Sequence, residues 1–125
     1  MQSQSVQAPT AQPRPVFKNI LLATDFSDTS KIALHYAIGF ARVYQSKILV
    51  VHITRHEAPT PVQTQTSRSR EQEAMSAFLG SAALAGVRYE TLIERGEILP
   101  VISGLANKHG IDLVVAGTHE RTGVT

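Results

Sequence analysis

Short apolar runs alternate along the chain with longer segments in which apolar residues recur every three or four positions. Four runs rich in β-branched residues predict strands, and the segments between them predict three helices. The strands are expected at residues 17–24, 47–54, 87–94 and 111–116, and the helices at about residues 29–44, 70–85 and 98–109. Such alternation is typical of an α/β fold, a doubly wound open parallel sheet with right-handed crossovers.

The polarity of each strand predicts its place in the sheet. Residues 47–54 are apolar almost throughout, which favours a parallel sheet with both faces covered. Residues 87–94 alternate between apolar and polar side chains and are expected at an edge. Residues 111–116 are too apolar for an edge, yet no further strand or helix follows them in this chain. We therefore expect a domain whose fifth strand and last helix are missing or are supplied by another chain.

The first predicted helix follows a turn that holds two candidate caps. Ser27 or Asp28 can accept hydrogen bonds from the N–H groups of the first helical turn. Four apolar residues recur at helical spacing and are expected to face the core. They are Ile32, Tyr36, Phe40 and Val43.

Prolines and glycines bound the other two helices. Residues 55–69 hold two prolines and many Thr, Gln and Ser residues, and predict a long polar loop. Gly86 is expected as a left-handed glycine that caps the second helix, and Gly110 is expected to end the third. Pro100 fits the first turn of the third helix, where its missing N–H costs nothing. The residues expected in the core are Met75, Phe78, Leu79, Ala82 and Ala83, then Ile98, Val101, Ile102, Leu105 and Ala106.

Composition limits the class of protein. A chain of 125 residues is long enough for one core, and we expect one domain at residues 16–125 after a disordered tail at residues 1–15. The tail lacks the apolar stretch of a secretory signal, so we expect a cytoplasmic protein. The net charge of +2 is spread along the chain and predicts no nucleic-acid partner, and no apolar run reaches membrane-spanning length. The absence of cysteine excludes thiolate metal sites and cysteine catalysis.

Candidate binding residues follow the first and fourth strands. Asp25 stands directly after the first strand and Gly117 directly after the fourth. In an open parallel sheet, ligands bind beyond the carboxyl ends of the strands, where the strand order reverses. Gly117 opens a loop with Thr118, His119 and Arg121, whose N–H groups, hydroxyl and positive side chains suit an anion. Local roles stay open as well: Asp25 could hold its own turn, and Gly117 could simply allow the chain to turn.

Three segments together resemble the universal stress protein family. They are Ala23-Thr24-Asp25-Phe26-Ser27, Val50-Val51-His52-Ile53 and Ala116-Gly117-Thr118-His119-Glu120-Arg121-Thr122-Gly123. The resemblance covers residues 17–125 and implies an adenine-nucleotide alpha hydrolase-like fold, a five-stranded parallel sheet in the order 3-2-1-4-5. Strands 3-2-1-4 of that order are expected here. The resemblance also implies a stress-response protein that forms a homodimer through the fifth strand.

The same resemblance implies ATP as the ligand, with Mg²⁺ as an optional accompanying ion. The ATP-binding branch carries a Gly, two residues, a Gly, nine residues, then a Gly followed by Ser or Thr. Gly117 matches the first glycine, Glu120 stands in place of the second, and the rest would fall beyond Thr125. Glu120 could point away, bind Mg²⁺ or pair with Arg121. The residues that the resemblance assigns to the nucleotide site are Ala23, Thr24, Asp25, Ile53, Gly117, Thr118, His119 and Arg121, with Asp25 and the Ile53 backbone at the adenosine and Gly117, Thr118 and His119 at the phosphates.

Two functions of different classes stay open. The first is an ATP-binding stress-response module, which hydrolyses ATP slowly at most or uses the nucleotide as a signal. The second is a nucleotide-free dimerisation or scaffold protein of the same fold, in which Glu120 marks a lost phosphate site. P-loop and nucleophilic hydrolase motifs are absent. His52 and His56 lack a third ligand nearby in the sequence, so no metal site is assigned, and no acid–base pair can be named as catalytic.

Overall fold

Four parallel strands and three helices alternate along the part of the chain that the structure describes. The computed structural model describes residues 16–54 and 61–117. The strands are β1 (Asn19–Thr24), β2 (Lys47–Thr54), β3 (Arg88–Arg95) and β4 (Leu113–Ala116). The helices are α1 (Asp28–Tyr44), α2 (Pro61–Gly80) and α3 (Ile98–His109). The predicted α/β alternation is confirmed, whereas the expected tail at residues 1–15 lies outside the described residues.

The strands form one parallel sheet in the order β3-β2-β1-β4, as the resemblance implied. β1 lies inside the sheet, with Leu22 in register with Val50 of β2 on one side and Val115 of β4 on the other. β3 lies at an edge, as its alternating polarity predicted. β4 differs from the fully buried strand that was predicted: no described strand pairs with its outer side, and Val114 is exposed.

Helices cover both faces of the sheet, which accounts for the continuous apolar character of β1 and β2. Successive side chains of a strand point to opposite faces, so neighbouring residues of β1 and β2 belong to different core layers. The layer against α1 and α2 contains Ile20, Leu22, Ile48 and Val50, and the layer against α3 contains Leu21, Leu49, Val51 and Leu105.

α1 packs on the sheet through a different stripe from the one that the sequence predicted. Of the four predicted core residues, Phe40 packs against the core, whereas Ile32, Tyr36 and Val43 are 57%, 71% and 74% exposed. The buried stripe is made mostly of small residues, which let a helix lie close to the sheet while two larger side chains fill the remaining space. Its members are Ser30, Ala33, Leu34, Ala37, Ile38 and Ala41.

α2 begins earlier and ends earlier than the sequence predicted. Residues 61–69, predicted as part of a polar loop, are helical, and residues 55–60 lie outside the described residues. Pro61 is tolerated in the first turn, no Gly or Pro interrupts residues 62–79, and polar residues cost a helix only a few tenths of a kcal/mol each. The packing of Met75, Phe78 and Leu79 in the core offsets that cost. Neither α2 nor another helix of the described residues combines the length and apolar character that a membrane span requires.

The two predicted glycine caps have different outcomes. Gly110 ends α3 with a φ of 60° and donates its N–H to the Ala106 carbonyl, as expected. Gly86 also has a positive φ, of 80°, but it lies in the turn before β3, because α2 already ends at Gly80. The positive φ was therefore predicted correctly, and its role as a helix cap was wrong.

The stripe that α1 buries can be tested by comparing Leu34→Ala with Ile32→Ala. Leu34 is fully buried, so its truncation is expected to lower the free energy of unfolding by about 2–5 kcal/mol. Ile32 is more than half exposed, so its truncation should cost less than about 1 kcal/mol. Urea unfolding measures both values. Similar losses in the two variants would contradict the observed orientation of α1.

Candidate functional site

A cavity of about 300 Å³ lies at the carboxyl ends of β1, β2 and β4. Its lining residues are Ala23, Thr24, Asp25, Ile53, Ile98, Ile102, Ala116 and Gly117. Five of the residues expected at the nucleotide line this one cavity: Ala23, Thr24, Asp25, Ile53 and Gly117. Thr118, His119 and Arg121, and with them Glu120, lie outside the described residues.

The strand order explains why these residues meet. Ala23 of β1 lies in register with Val51 of β2 and with Ala116 of β4, so the tips of three strands lie side by side. β2, the next strand in the chain, pairs with one edge of β1, whereas β4 pairs with the opposite edge of β1. This reversal is the position at which open parallel sheets leave a crevice for ligands.

Three lining residues were not predicted as part of the site. Ile98 and Ile102 come from the beginning of α3, and Ala116 is the last residue of β4. Ile98 was assigned to the core, but it is exposed and contributes to the cavity. One sequence signal points to such residues: a helix that follows a parallel strand begins at the carboxyl edge, and its apolar residues four apart share a face. This sequence pattern does not determine whether the apolar face of the helix reaches the crevice.

The Asp25 carboxylate is held by the turn that leads into α1. Its Oδ1 atom accepts hydrogen bonds from the Ser27 backbone N–H at 2.9 Å and from the Ser30 hydroxyl at 2.7 Å. Ser27 is the N-cap of α1, as predicted, and its hydroxyl accepts from the Ser30 N–H. Both hydrogen bonds end on Oδ1. The two open roles of Asp25 are thus compatible, because a carboxylate that serves the turn through one oxygen retains further acceptor positions for a ligand.

The hydrogen bonds keep Asp25 ionised. Burial alone would raise the pKa of this carboxyl group, but hydrogen bonds from Ser27 and Ser30 outweigh burial and lower the pKa to about 2. At neutral pH the cavity therefore contains a carboxylate, which is a strong acceptor for hydroxyl and amino groups.

Gly117 allows a close approach between the end of β4 and the first turn of α1. A Cβ atom on Gly117 would lie 2.6 Å from the backbone oxygen of Thr29 and 2.9 Å from its Cγ2. Both distances are too short for any side chain, so the packing requires glycine here. This requirement exists without a ligand, and it means that substitution of Gly117 disturbs the fold together with the site.

Behind the strand tips, a polar and aromatic cluster connects β1 and β2 to α2. Nδ1 of His52 lies 2.9 Å from the Thr24 carbonyl oxygen, and the imidazole stacks on the Phe26 ring with centroids 4.2 Å apart. Phe26 has a φ of 66°, a conformation that a bulky residue rarely adopts. Nε2 of His52 lies 3.9 Å from Oε2 of Glu71, which also accepts a hydrogen bond from Thr54. No group of three or more metal-ligand side chains occurs among the residues described.

Comparison with known proteins identifies the family of the chain. The sequence profile described as the universal stress protein family matches residues 17–125. Universal stress protein A of Salmonella typhimurium is 30% identical over 111 residues, which are 83% of this chain and 77% of that protein. The chain belongs to the universal stress protein family. This membership confirms the resemblance carried by the strand-end segments.

Solved structures of the universal stress protein family have the same fold. One from Burkholderia pseudomallei aligns with a TM-score of 0.69 at 21% identity and covers 86% of each chain. One from Arabidopsis thaliana, solved with AMP bound, aligns with a TM-score of 0.58 at 19% identity, over 81% of this chain and 76% of that one. At these identities the alignments show that this chain has the same fold as the two solved structures.

The contact between Gly117 and Thr29 predicts a loss of stability in Gly117→Ala. Because the new Cβ would meet backbone atoms, we expect the free energy of unfolding to fall by about 1–3 kcal/mol. Gly39→Ala is the matched control, since Gly39 lies inside α1 with no atom within 4 Å of its added Cβ. That control should be neutral or up to about 1 kcal/mol more stable. A Gly117→Ala protein as stable as its parent would refute the close approach.

The lowered pKa of Asp25 predicts a pH-dependent contribution to stability. A carboxyl group with a lower pKa in the folded state stabilises the protein above its unfolded pKa of about 3.9 and loses that contribution as pH falls through about 2. The parent should therefore lose stability relative to Asp25→Asn as pH falls from about 5 towards 2. Because Asp25 is exposed and screened, we expect no more than about 1 kcal/mol. Urea unfolding across this range measures the difference, and a constant difference would contradict the assignment.

Proposed function

We propose that this universal stress protein binds an adenine nucleotide, with ATP as the expected ligand, in the cavity at the tips of β1, β2 and β4. The observation that carries the proposal is the pairing of one ionised, turn-anchored carboxylate with aliphatic walls in a single crevice. Asp25 supplies the carboxylate, and Ile53, Ile98 and Ile102 supply the walls. Small-molecule sites commonly combine mostly apolar walls with a few placed polar groups.

The two kinds of surface suit the two parts of a nucleoside. The faces of a purine base are flat and apolar, so burying them against isoleucine side chains is energetically favourable. Ribose hydroxyls and the adenine amino group are hydrogen-bond donors, for which the ionised Asp25 carboxylate is a suitable acceptor. The carboxylate would repel a phosphate placed beside it, so the nucleoside end is expected near Asp25 and the phosphates away from it.

The phosphate end of the proposed site begins at Gly117. The sequence then continues with Thr118, His119 and Arg121, whose hydroxyl, imidazole and guanidinium groups can donate to phosphate oxygens. Glu120 opposes a bare polyphosphate, or binds Mg²⁺ that accompanies it. The Arabidopsis thaliana family member with AMP bound supports an adenine nucleotide as the class of ligand.

Calorimetric titration of the 125-residue chain with AMP, ADP, ATP and MgATP tests the proposal. We expect binding that weakens about tenfold in Asp25→Asn, because a charge-assisted hydrogen bond contributes on the order of 1.5 kcal/mol or more. Asp28→Asn is the matched control in the same turn, since its carboxylate is 99% exposed and does not line the cavity. Its affinity should equal that of the parent.

Two results would overturn this function in different ways. If no adenine nucleotide binds at millimolar concentration, the nucleotide-free dimerisation or scaffold function replaces it. If the parent binds but Asp25→Asn binds equally well, the nucleotide occupies another site. Slow ATP hydrolysis, homodimer formation and a cytoplasmic location stay predictions of the sequence analysis.

A further inference from the structure

We propose that Ser30 is a positioning residue that orients the Asp25 carboxylate towards the ligand. The inference rests on the proposed function, since it concerns the same cavity. It assigns a role to a buried residue that does not line that cavity. Ser30 is 1% exposed, so its hydroxyl has no access to solvent or to a ligand. Its effect on binding is therefore expected to act through Asp25.

Ser30 contacts Asp25 at two points. Its hydroxyl donates to Oδ1 at 2.7 Å and accepts from the Asp25 backbone N–H at 3.2 Å. One hydroxyl thus holds both the backbone and the side chain of the same residue. Because rotation of the carboxylate would break the first contact, the Ser30 hydroxyl fixes the orientation of the carboxylate that lines the cavity.

The position of Ser30 is itself fixed by the first turn of α1. Its backbone N–H donates to the hydroxyl of the N-cap Ser27 at 3.1 Å. The preceding residue, Thr29, is the one against which Gly117 packs. Two adjacent residues of one helical turn therefore set the positions of Asp25 and Gly117, the residues that follow β1 and β4.

Loss of the Ser30 hydroxyl would leave the carboxylate held by Ser27 but no longer by the buried hydroxyl of α1. The carboxylate would then sample more rotamers, and a ligand would have to order it on binding. The same loss removes a hydrogen bond that keeps the Asp25 pKa low, so that pKa should rise towards the ordinary aspartate range. Weaker nucleotide binding and protonation of Asp25 at a higher pH are therefore two separate consequences of losing this one contact.

The test compares Ser30→Ala with Ser46→Ala and Ser30→Thr. Ser46 is the matched control, because it is also buried and donates its hydroxyl to a backbone carbonyl, that of Phe17, at the opposite end of the sheet. Ser30→Thr retains the hydroxyl. Calorimetry with AMP from pH 7 to about 2 measures affinity, and ¹³C NMR of the Asp25 carboxyl carbon over the same range measures its pKa. Protonation of the nucleotide affects all variants alike and cancels in the comparison.

We expect Ser30→Ala to bind AMP about tenfold more weakly at pH 7. Its affinity should also fall at a higher pH than that of the parent, together with a raised Asp25 pKa. Ser46→Ala should match the parent in affinity, pH profile and Asp25 pKa, and Ser30→Thr should restore most of both properties. If Ser30 only stabilised the turn, Ser30→Ala would raise the Asp25 pKa without weakening AMP binding at pH 7.

The inference is overturned if Ser30→Ala keeps the parent's affinity and pH profile, if Ser46→Ala loses as much, or if Ser30→Thr behaves like Ser30→Ala. In each of these cases the proposed function is retained if the parent protein binds AMP. A parent that binds no adenine nucleotide overturns the proposed function, and the role of Ser30 in ligand positioning with it.

Discussion

The pairing of β1 with a strand on each side is the constraint on which the structure depends. Leu21 and Leu22 have no exposed surface, and they face opposite core layers. Burial on both faces and hydrogen bonding on both edges leave β1 no alternative register, since a shift by one residue would exchange its two faces. The same pairing brings the tips of β2 and β4 to either side of Asp25, so the core and the cavity have one origin.

The first turn of α1 contacts the residues that follow the paired strands and so helps to form the site. Ser27 caps the helix, Thr29 meets Gly117, and Ser30 holds Asp25. Helix capping and carboxylate orientation are therefore performed by the same few atoms, and fold and site cannot be separated at these positions. Substitution of Gly117 illustrates the consequence, because it would strain the packing of α1 before it affected any ligand.

Much of the site could be predicted because its residues lie at the carboxyl ends of strands or directly after them, and parallel strands share a carboxyl edge. Asp25, Gly117 and Ile53 are of this kind. Ile98 and Ile102 are different, because their place in the cavity depends on where the beginning of α3 lies over the sheet. No local pattern predicts that position, which is set by the packing of Leu105 and its neighbours in the core layer between α3 and the sheet.

The sequence by itself determined the type and order of the elements, and for β2 and α3 also their limits, because periodicity and turn residues act locally. Tertiary structure decided which face of α1 is buried. Ile32 and Tyr36 are large, mainly apolar side chains that stay exposed, because a stripe of alanines around Leu34 and Ile38 allows closer contact with the sheet. Tertiary structure also extended α2 through residues that favour a loop. Packing against the sheet outweighs local preference in both cases. Burial of a large apolar side chain stabilises the fold by about 1.5–3 kcal/mol, whereas helix propensities differ by only tenths of a kcal/mol per residue.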